Sequence, residues 1–175
     1  MTRLAVIANG APPETPGERA ALAACDGCVC CDRLPPPGAP PLLQVVGDGD
    51  TLREAVPPGL LFHEDEQETC DLAKAIRWCR RNAPTARLNY FAVLGRRMDH
   101  ALANLAHIYE TATEATLFAN DGRFELFPAG EHTLDVRPGG AVSLISLRPQ
   151  RVTARGLVWP VEDLLLASLW RATLN

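Results

Sequence analysis

The chain has 175 residues, of which 47% are hydrophobic, and its formal net charge is −4. This length allows one medium or two small domains with a real core, and the acidic balance does not indicate a nucleic-acid-binding surface. No apolar run approaches the ~18 residues that a membrane helix requires, and the first apolar run, residues 4–8, is too short for a signal-peptide core. The sequence therefore predicts a cytoplasmic protein that binds neither membrane nor nucleic acid.

The first part of the chain alternates apolar runs with helix-forming segments. Strands are predicted at 4–8, 28–31, 42–46 and 88–94, and helices at 18–24, 65–81 and 99–112. Both long helices carry an apolar stripe, and the helix at 65–81 begins with acidic and ends with basic residues, as the helix dipole favours. This alternation predicts an N-terminal α/β domain with a parallel sheet over residues 1–119.

After about Leu117 the pattern changes to short alternating runs. These runs are separated by turns rich in proline and glycine, and they cover residues 123–127, 132–136, 141–147 and 151–153. Alternation of this kind is typical of antiparallel strands. We therefore expect a second, small antiparallel β-sandwich-like domain over residues 120–175.

Four of the six cysteines are crowded into seven positions, between Cys25 and Cys31. Cys25 and Cys28 have the spacing of half a zinc site, but no matched second pair follows. The alternative is a buried strand at residues 28–31, because a free cysteine packs as a small hydrophobic residue. A non-catalytic module held together by a cysteine-bound metal remains a rival hypothesis.

Two aspartates follow the predicted strand at 42–46, in the segment Gly47-Asp48-Gly49-Asp50-Thr51. In an extended loop, this spacing brings both carboxylates near one point, where they repel unless a cation lies between them. Mg²⁺ is the hard cation that such oxygen ligands suit. The alternative is an ordinary polar turn, because glycine and aspartate are common turn residues.

Further charged residues are expected at the starts of the two long helices. Asp71 and Asp99 would lie in first helical turns, where aspartate is also favoured by capping alone. Lys74 and Arg77, taken singly, are typical of solvated helix charges. Arg97 precedes a helix N-terminus that favours phosphate. Together these groups indicate a Mg²⁺-nucleotide site, although the chain has neither a Walker loop nor a dinucleotide fingerprint.

Five segments resemble, in order, the motifs of the thiamine pyrophosphokinase (thiamine diphosphokinase) family. The clearest are Gly47-Asp48-Gly49-Asp50-Thr51, similar to Gly-Asp-x-Asp-Ser, and Gly95-Arg96-Arg97-Met98-Asp99-His100-Ala101-Leu102-Ala103-Asn104, similar to Gly-Gly-Arg-x-Asp-His-x-Leu-x-Asn. The others are residues 8–10, 31–32 and 66–75, and residues 142–145 and 156–160 resemble the C-terminal strands of the family. The chain departs from the family at Arg33-Leu34, where two glycines are usual, and at Glu66 and Cys70.

The resemblance implies transfer of the diphosphate group of ATP to thiamine, giving thiamine diphosphate and AMP. It implies that Asp48, Asp50 and Asp71 hold Mg²⁺, that Arg97 takes charge on the transferring group, and that Asp99 orients Arg97 or the metal waters. The residues implied to contact the nucleotide are Asp32, Gln67, Lys74 and Asn104. A Mg²⁺-dependent nucleotide or phosphoester hydrolase that uses the same carboxylates is the alternative.

The resemblance also implies a homodimer with the active site at the subunit interface. Trp159, Thr173 and Asn175 of the β domain would bind thiamine, because a cationic ring and a flat pyrimidine call for an aromatic face and a few hydrogen bonds. Trp159 and Trp170 could equally be core residues. Because the family continues past a similar asparagine into a last strand, we expect the β domain to be incomplete at Asn175.

Overall fold

A computed structural model of the chain describes residues 1–50, 52, 55–112 and 114–173. Thr51 and Asn175, which belong to the predicted metal and thiamine sites, lie outside the described residues. The chain divides into two compact units, residues 1–130 and 131–175. The predicted fold class is confirmed, because the first unit holds a mostly parallel sheet with helices and the second a small antiparallel sheet.

The first unit is built on a seven-stranded sheet with the order β4-β3-β2-β1-β5-β6-β7. All neighbouring strands pair in parallel except β6 and β7. The strands are β1 (Arg3–Ile7), β2 (Gly27–Cys31), β3 (Leu42–Gly47), β4 (Leu61–His63), β5 (Arg87–Phe91), β6 (Ala115–Ala119) and β7 (Gly122–Leu126). The helices are α1 (Pro16–Ala23), α2 (Asp71–Asn82) and α3 (Met98–Thr111).

Alternate strand residues supply two separate apolar clusters. Leu4 and Val6 of β1 belong to one cluster, which includes residues of α2 and α3, whereas Ala5 and Ile7 belong to the other, which includes Leu22 of α1. This division follows the two-residue period of a strand, and helices that cover both faces bury a parallel sheet completely. The predicted cysteine strand is confirmed, because all five residues of β2 are buried.

The helix predicted at 65–81 begins only at Asp71. The residues before it form a loop in which the Glu66 side chain accepts hydrogen bonds from the backbone N–H groups of Glu68 and Thr69. Cys70 has extended φ and ψ angles and is the N-cap of α2. A side chain that accepts local backbone bonds competes with the helix, and for this reason the acidic residues before Asp71 form a loop.

Three strands of the first sheet differ from the sequence-based expectation. The short edge strand β4 and the strand β6 were not predicted. Residues 123–127 were assigned to the second domain, but β7 pairs antiparallel with β6, from Ala115 opposite Leu126 to Ala119 opposite Gly122. The two-residue connection between β6 and β7 reverses the chain and makes a hairpin. Because β6 was not predicted, the sequence offered no partner for β7 in the first domain.

One irregularity lies in the pairing of β2 with β3. Cys28 lies opposite Leu42, but Val29 lies opposite Gln44, so the register shifts by one residue at this point. Leu43 is the extra residue of β3. Beyond the bulge the pairing is regular again and ends with Cys31 opposite Val46.

The second unit contains the antiparallel pair β8 (Gln150–Ala154) and β9 (Val161–Leu166). Leu144 and Thr173 form an isolated antiparallel bridge, and residues 132–136, predicted as a strand, are not one. Across the described residues of both units, no helix is long and apolar enough to cross a membrane.

Candidate active-site cleft

A cleft of about 520 Å³ opens at the carboxyl ends of the parallel strands. Its walls include the exits of β1 and β5, the neighbouring strands at which the chain order reverses. Ligands of open α/β sheets bind at such a reversal point. The lining residues are Ala8, Asn9, Gly10, Cys31, Asp48, Asp50, Gln67, Thr69, Cys70, Asp71, Leu72, Lys74, Val93, Leu94, Arg96, Arg97, His100 and Asn104.

The exits of β1 and β5 touch through their backbones at Gly10. Its N–H donates to the carbonyl of Ala92 at 2.6 Å. A Cβ atom at Gly10 would lie 2.2 Å from the Leu94 carbonyl oxygen and 2.4 Å from that of Ala92, distances that no side chain tolerates. Glycine is therefore required here, and one wall of the cleft is main chain.

Three carboxylates meet beside this wall. Asp32, Asp48 and Asp50 each place an oxygen within 4.8 Å of the other two. Asp32 follows β2 and Asp48 follows β3, and these neighbouring parallel strands end at the same edge of the sheet. Gly47 permits the approach, because a Cβ atom there would lie 2.8 Å from an Asp32 carboxylate oxygen.

Asp32 is the fixed member of the group. It is 1% exposed and has a φ of 45°, in the left-handed region that aspartate tolerates better than most residues. One of its carboxylate oxygens accepts the Gly49 N–H at 3.0 Å. A buried carboxylate fixed in this way gives the site a rigid side.

The pKa values of Asp48 and Asp50 shift in opposite directions. A hydrogen bond from the Gln67 side-chain amide, 3.0 Å from Asp48 Oδ2, is the main cause that lowers the pKa of Asp48. Desolvation and then the charge of Asp48 raise the pKa of Asp50. Two neighbouring carboxylates repel each other when both are ionised, and a cation between them would stabilise both charges.

Asp71 does not belong to this three-carboxylate group. It is the first residue of α2, and its Oδ1 lies 3.4 Å from the Lys74 ammonium one turn further on. Burial raises the pKa of the Asp71 carboxyl, and Lys74 lowers it by a smaller amount. The structure therefore places Asp32, rather than Asp71, beside Asp48 and Asp50.

Lys74 is not the solvated helix charge that its spacing suggested. Its side chain is 2% exposed, and its ammonium lies 3.9 Å from Asp48 as well as 3.4 Å from Asp71. Sixteen of the 17 basic residues are arginines, and Lys74 is the single lysine. A compact ammonium on a flexible stem fits a narrow buried position that the planar guanidinium group would not.

Arg97 and Asp99 are paired at the start of α3. The Arg97 guanidinium donates from Nε to Asp99 Oδ1 at 3.1 Å and from Nη2 to Asp99 Oδ2. This hydrogen bonding is the main cause that lowers the pKa of Asp99 to about 2. Arg97 lines the cleft and Asp99 lies outside its wall, so in this structure Asp99 contacts the site through Arg97.

Asn104 joins α3 to the exit of β5. Its amide donates to the Val93 carbonyl at 3.0 Å, and its oxygen lies 3.7 Å from the Cys70 sulfur, which donates to it. The residue is 8% exposed and lines the cleft. The nitrogen and the oxygen of its one amide group thus connect α3 to the exit of β5 and to the N-cap of α2.

Sequence reasoning did not assign a role to several residues of the cleft wall. Asn9 follows β1 directly, and its position after a predicted strand was the available signal. Arg96 and His100 flank Arg97 and face the same space. His100 is exposed and lines the cleft.

The predicted thiamine residues belong to the second unit. Trp159 and Trp170 are 74% and 82% exposed, which excludes the core role considered for them. The Thr173 hydroxyl accepts the Leu144 N–H at 2.9 Å, in addition to the backbone bridge between these residues. Exposed tryptophans offer their ring faces to a ligand or a partner.

The donor set of the cleft suits a hard divalent cation. Carboxylate oxygens of Asp48 and Asp50 line the cleft, the buried carboxylate of Asp32 lies beside them, and the thiols of Cys31 and Cys70 belong to the same wall as the two aspartates. Mg²⁺ prefers carboxylates, substrate phosphates and water. The fold and this site define an α/β protein with a cleft of carboxylate and basic side chains at the reversal point of its sheet.

Comparison with known proteins specifies the family. Residues 42–119 match the sequence model of the thiamin pyrophosphokinase catalytic domain. The family resemblance inferred from the motifs is thereby confirmed over this region, which is similar to the catalytic domain of the thiamin pyrophosphokinase family. It spans β3 to β6 and carries every predicted phosphate-site residue except Asp32.

Two solved structures have a similar fold. A thiamin pyrophosphokinase family protein from Enterococcus faecalis superposes with a TM-score of 0.75 at 19% identity, over 96% of this chain and 86% of that one. A protein from Lactobacillus plantarum gives a TM-score of 0.68 at 17% identity, over 96% and 85% of the two chains. At these identities the likeness is one of fold. No curated protein matches the chain in sequence.

Proposed function

We propose that this protein transfers the diphosphate group of ATP to the hydroxyethyl oxygen of thiamine, giving thiamine diphosphate and AMP. The observation that carries the proposal is that Asp48 and Asp50 line one cleft together with Lys74 and Arg97, with the buried Asp32 beside the two aspartates, in a chain that matches the thiamin pyrophosphokinase catalytic domain over residues 42–119. Phosphoryl-type transfer asks a protein mainly to position two reactants and to neutralise charge.

Asp32, Asp48 and Asp50 are the residues proposed to hold Mg²⁺, and they fit it because their oxygens lie within 4.8 Å of one another. When bound, Mg²⁺ offsets phosphate charge and aligns the polyphosphate. Asp71, the other expected metal ligand, lies outside this three-carboxylate group but lines the same cleft, with its carboxylate 3.4 Å from the Lys74 ammonium. In this proposal, Asp71 acts by holding the Lys74 ammonium in place.

Lys74 and Arg97 are the cations that this chain itself supplies to the polyphosphate. Lys74 is buried beside Asp48, and Arg97 is at the N-terminus of α3, where backbone N–H groups favour anions. Asp99 holds two nitrogens of the Arg97 guanidinium, which orients the remaining N–H groups. As the oxygen of thiamine bonds to the β-phosphorus and AMP leaves, these fixed charges stabilise the negative charge that develops.

Thiamine is proposed to bind through Trp159, with a homodimer as the working form. The exposed Trp159 and Trp170 rings support this part of the proposal, because a cationic thiazolium binds well to an aromatic face. Exposed large apolar side chains in the same unit, among them Val158 and Leu169, also favour an interface between copies of the chain.

The decisive experiment is an assay of the purified protein with ATP, Mg²⁺ and thiamine. We expect AMP and thiamine diphosphate in equal amounts, and no AMP without thiamine. The rival hydrolase, which uses the same carboxylates with water as acceptor, releases phosphate or diphosphate at a rate indifferent to thiamine. ATP consumption without thiamine diphosphate would reject the proposed transfer.

A further inference from the structure

A loop of residues 64–70 connects β4 to α2 and contributes Gln67, Thr69 and Cys70 to the wall of the cleft. Of these, Gln67 contacts a carboxylate of the proposed cation site: its amide nitrogen donates to Asp48 Oδ2 at 3.0 Å, and also to the Asp65 carbonyl at 3.3 Å. Gln67 itself is exposed. A long exposed side chain keeps one orientation only if the backbone that carries it is held, since fixing its rotamers costs conformational entropy.

Arg77, two turns into α2, contacts the loop on both sides of Gln67. Its Nη2 lies 2.8 Å from Glu64 Oε1 and 3.0 Å from Glu66 Oε2, and its Nη1 lies 3.1 Å from the Thr69 hydroxyl. The guanidinium therefore bridges the first, middle and last parts of the loop. One planar donor group with several fixed N–H directions can do this, whereas an ammonium group could not hold the same geometry.

Glu66 closes the second half of the loop. In addition to Arg77, its carboxylate accepts from the backbone N–H groups of Glu68 and Thr69 and from the Thr69 hydroxyl. The residues on both sides of Gln67 are thus hydrogen-bonded to a helix that belongs to the core. We call this set, Arg77 with Glu64, Glu66 and Thr69, the loop clamp.

We propose that Arg77 is a positioning residue for the cation site, which it serves by holding the loop so that Gln67 reaches Asp48. Arg77 does not itself line the cleft. The inference rests on the proposed function in that Asp48 is taken as a ligand of the cation. Residues that orient a metal ligand from outside the coordination shell change metal affinity by roughly 10- to 100-fold.

A surface ion pair without this role would behave differently. Exposed ion pairs contribute little to stability, and removing one should not change the affinity of a distant site for its ligand. The Arg77 side chain is 32% exposed, and those of Glu64 and Glu66 are 21% and 33% exposed, so the clamp is half-buried rather than solvated. A merely structural pair predicts a small loss of stability and unchanged cation binding.

The test measures Mn²⁺ binding to the protein without nucleotide, by electron paramagnetic resonance, in wild type, Arg77→Gln and Arg77→Lys. Arg81→Gln is the matched control, because Arg81 is exposed on the same helix. We expect Arg77→Gln to weaken Mn²⁺ binding by about tenfold, Arg77→Lys by less, and Arg81→Gln not at all. Amide hydrogen exchange over residues 64–70 should quicken in Arg77→Gln, and in assays KM for the metal should rise more than kcat falls.

A second comparison distinguishes an effect of Arg77 that depends on Gln67 from a loss of Mn²⁺ binding that does not involve Gln67. If Arg77 acts through Gln67, then Gln67→Ala alone and Gln67→Ala with Arg77→Gln should weaken Mn²⁺ binding equally. Additive losses, or wild-type binding in Arg77→Gln, would overturn the inference. Asp50→Asn tests whether the proposed cation site itself is correct. If wild type and Asp50→Asn bind Mn²⁺ equally poorly, the proposed cation site is wrong, even if amide hydrogen exchange in the loop responds to Arg77→Gln as expected.

Discussion

The ammonium of Lys74 lies 3.4 Å from the carboxylate of Asp71 and 3.9 Å from that of Asp48. A permanent cation therefore contacts one of the carboxylates proposed to bind Mg²⁺. It offsets part of the carboxylate repulsion before any metal arrives, and it repels the metal once bound. Charges at this separation interact more strongly near a protein surface than in bulk water, so both effects should be measurable.

Replacing Lys74 with Met should change cation and nucleotide binding in opposite directions. We expect Lys74→Met to bind Mn²⁺ alone several-fold more tightly, because a like charge is gone, and to lose affinity for ATP and at least about tenfold in turnover. Titration with each ligand separately measures the two effects. Weaker Mn²⁺ binding in this variant would show that Lys74 orders the carboxylates rather than competing with the cation.

The single lysine also supplies a spectroscopic check. Protein labelled with ¹⁵N-lysine carries one side-chain ammonium signal, which must belong to Lys74. We expect this signal to shift on addition of Mg²⁺, because the metal and the ammonium share Asp48. Asp50→Asn is the control, in which the shift should require far higher Mg²⁺ concentrations.

The central aspartates should be needed for turnover but not for folding. Asp50→Asn and Asp32→Asn keep the shape of the side chain and remove its charge, and asparagine tolerates the left-handed backbone of Asp32. We expect kcat to fall by at least about 10² in each, the scale of losing one preorganised charge stabiliser, with Asp121→Asn as an exposed control. Near-normal turnover in Asp50→Asn would show that this segment is only a turn.

Glu66 should stabilise the fold at neutral pH and lose that effect in acid. The hydrogen bond from the Thr69 hydroxyl, followed by that from Arg77, lowers the pKa of Glu66 from 4.5 to about 2. Since the folded state holds the charged form, this stabilisation is complete above pH 4.5 and disappears as the pH falls to 2. Melting temperatures of wild type and Glu66→Gln should therefore differ most above pH 4.5 and converge near pH 2.

The exposed Glu162 of β9 provides the control for this comparison. Glu162→Gln should follow the wild-type acid profile throughout. A constant difference between wild type and Glu66→Gln from pH 7 to pH 2 would mean that the contacts of Glu66 do not depend on its charge, contrary to the prediction.

Asn104 should contribute to stability through its buried bonds. Asn104→Ala removes the donor to the Val93 carbonyl and the acceptor of the Cys70 thiol, and unsatisfied buried polar groups cost about 1–3 kcal/mol. Chemical denaturation measures this loss. Asn82→Ala is the matched control, because Asn82 makes a similar side chain–backbone bond to Trp78 at 2.9 Å but is exposed; we expect a change below about 0.5 kcal/mol.

Trp159→Ala tests the thiamine part of the proposal. We expect KM for thiamine to rise by about tenfold or more, on the scale of a lost cation–π and stacking contact, with KM for ATP unchanged. Light scattering in the presence of thiamine should report a homodimer. A monodisperse monomer that binds thiamine tightly would reject the shared-site arrangement without affecting the assignment of the phosphate chemistry.

The sequence predicted the parts of the fold and site that depend on local pattern. Strand exits at Asn9, Asp32 and Gly47 and the start of α3 near Asp99 follow from apolar runs that end in polar residues. Chain order alone placed these ends at one edge of a sheet. The burial of Lys74 could not be predicted, because its helical spacing is the same whether the surrounding loops leave it exposed or cover it.

The choice between Asp32 and Asp71 also lay beyond the sequence. Asp32 follows β2 and Asp71 begins α2, and both positions lie at the edge of the sheet where the parallel strands end. Only the pairing of β2 with β3 brings Asp32 close to Asp48. Likewise, the sequence allows Glu66 either to begin a helix or to hydrogen-bond to the backbone of its own loop. The hydrogen bond from Arg77 to Glu66 favours the loop. Long-range contacts of this kind leave no periodic signal.

The bulge opposite Cys28 sets the distance between two of the carboxylates. If Leu43 paired with Val29 instead of forming the bulge, Cys31 would lie opposite Val45 and Asp32 opposite Val46, so Asp48 would stand one residue further along and on the other side of the sheet. A chain that folded with this slipped pairing would keep its strands, but the side chains of β3 would exchange faces and Asp48 would no longer meet Asp32. If the cation site is as proposed, a Mn²⁺ titration therefore reports strand alignment, and it distinguishes the native protein from a misaligned form that circular dichroism alone would not detect.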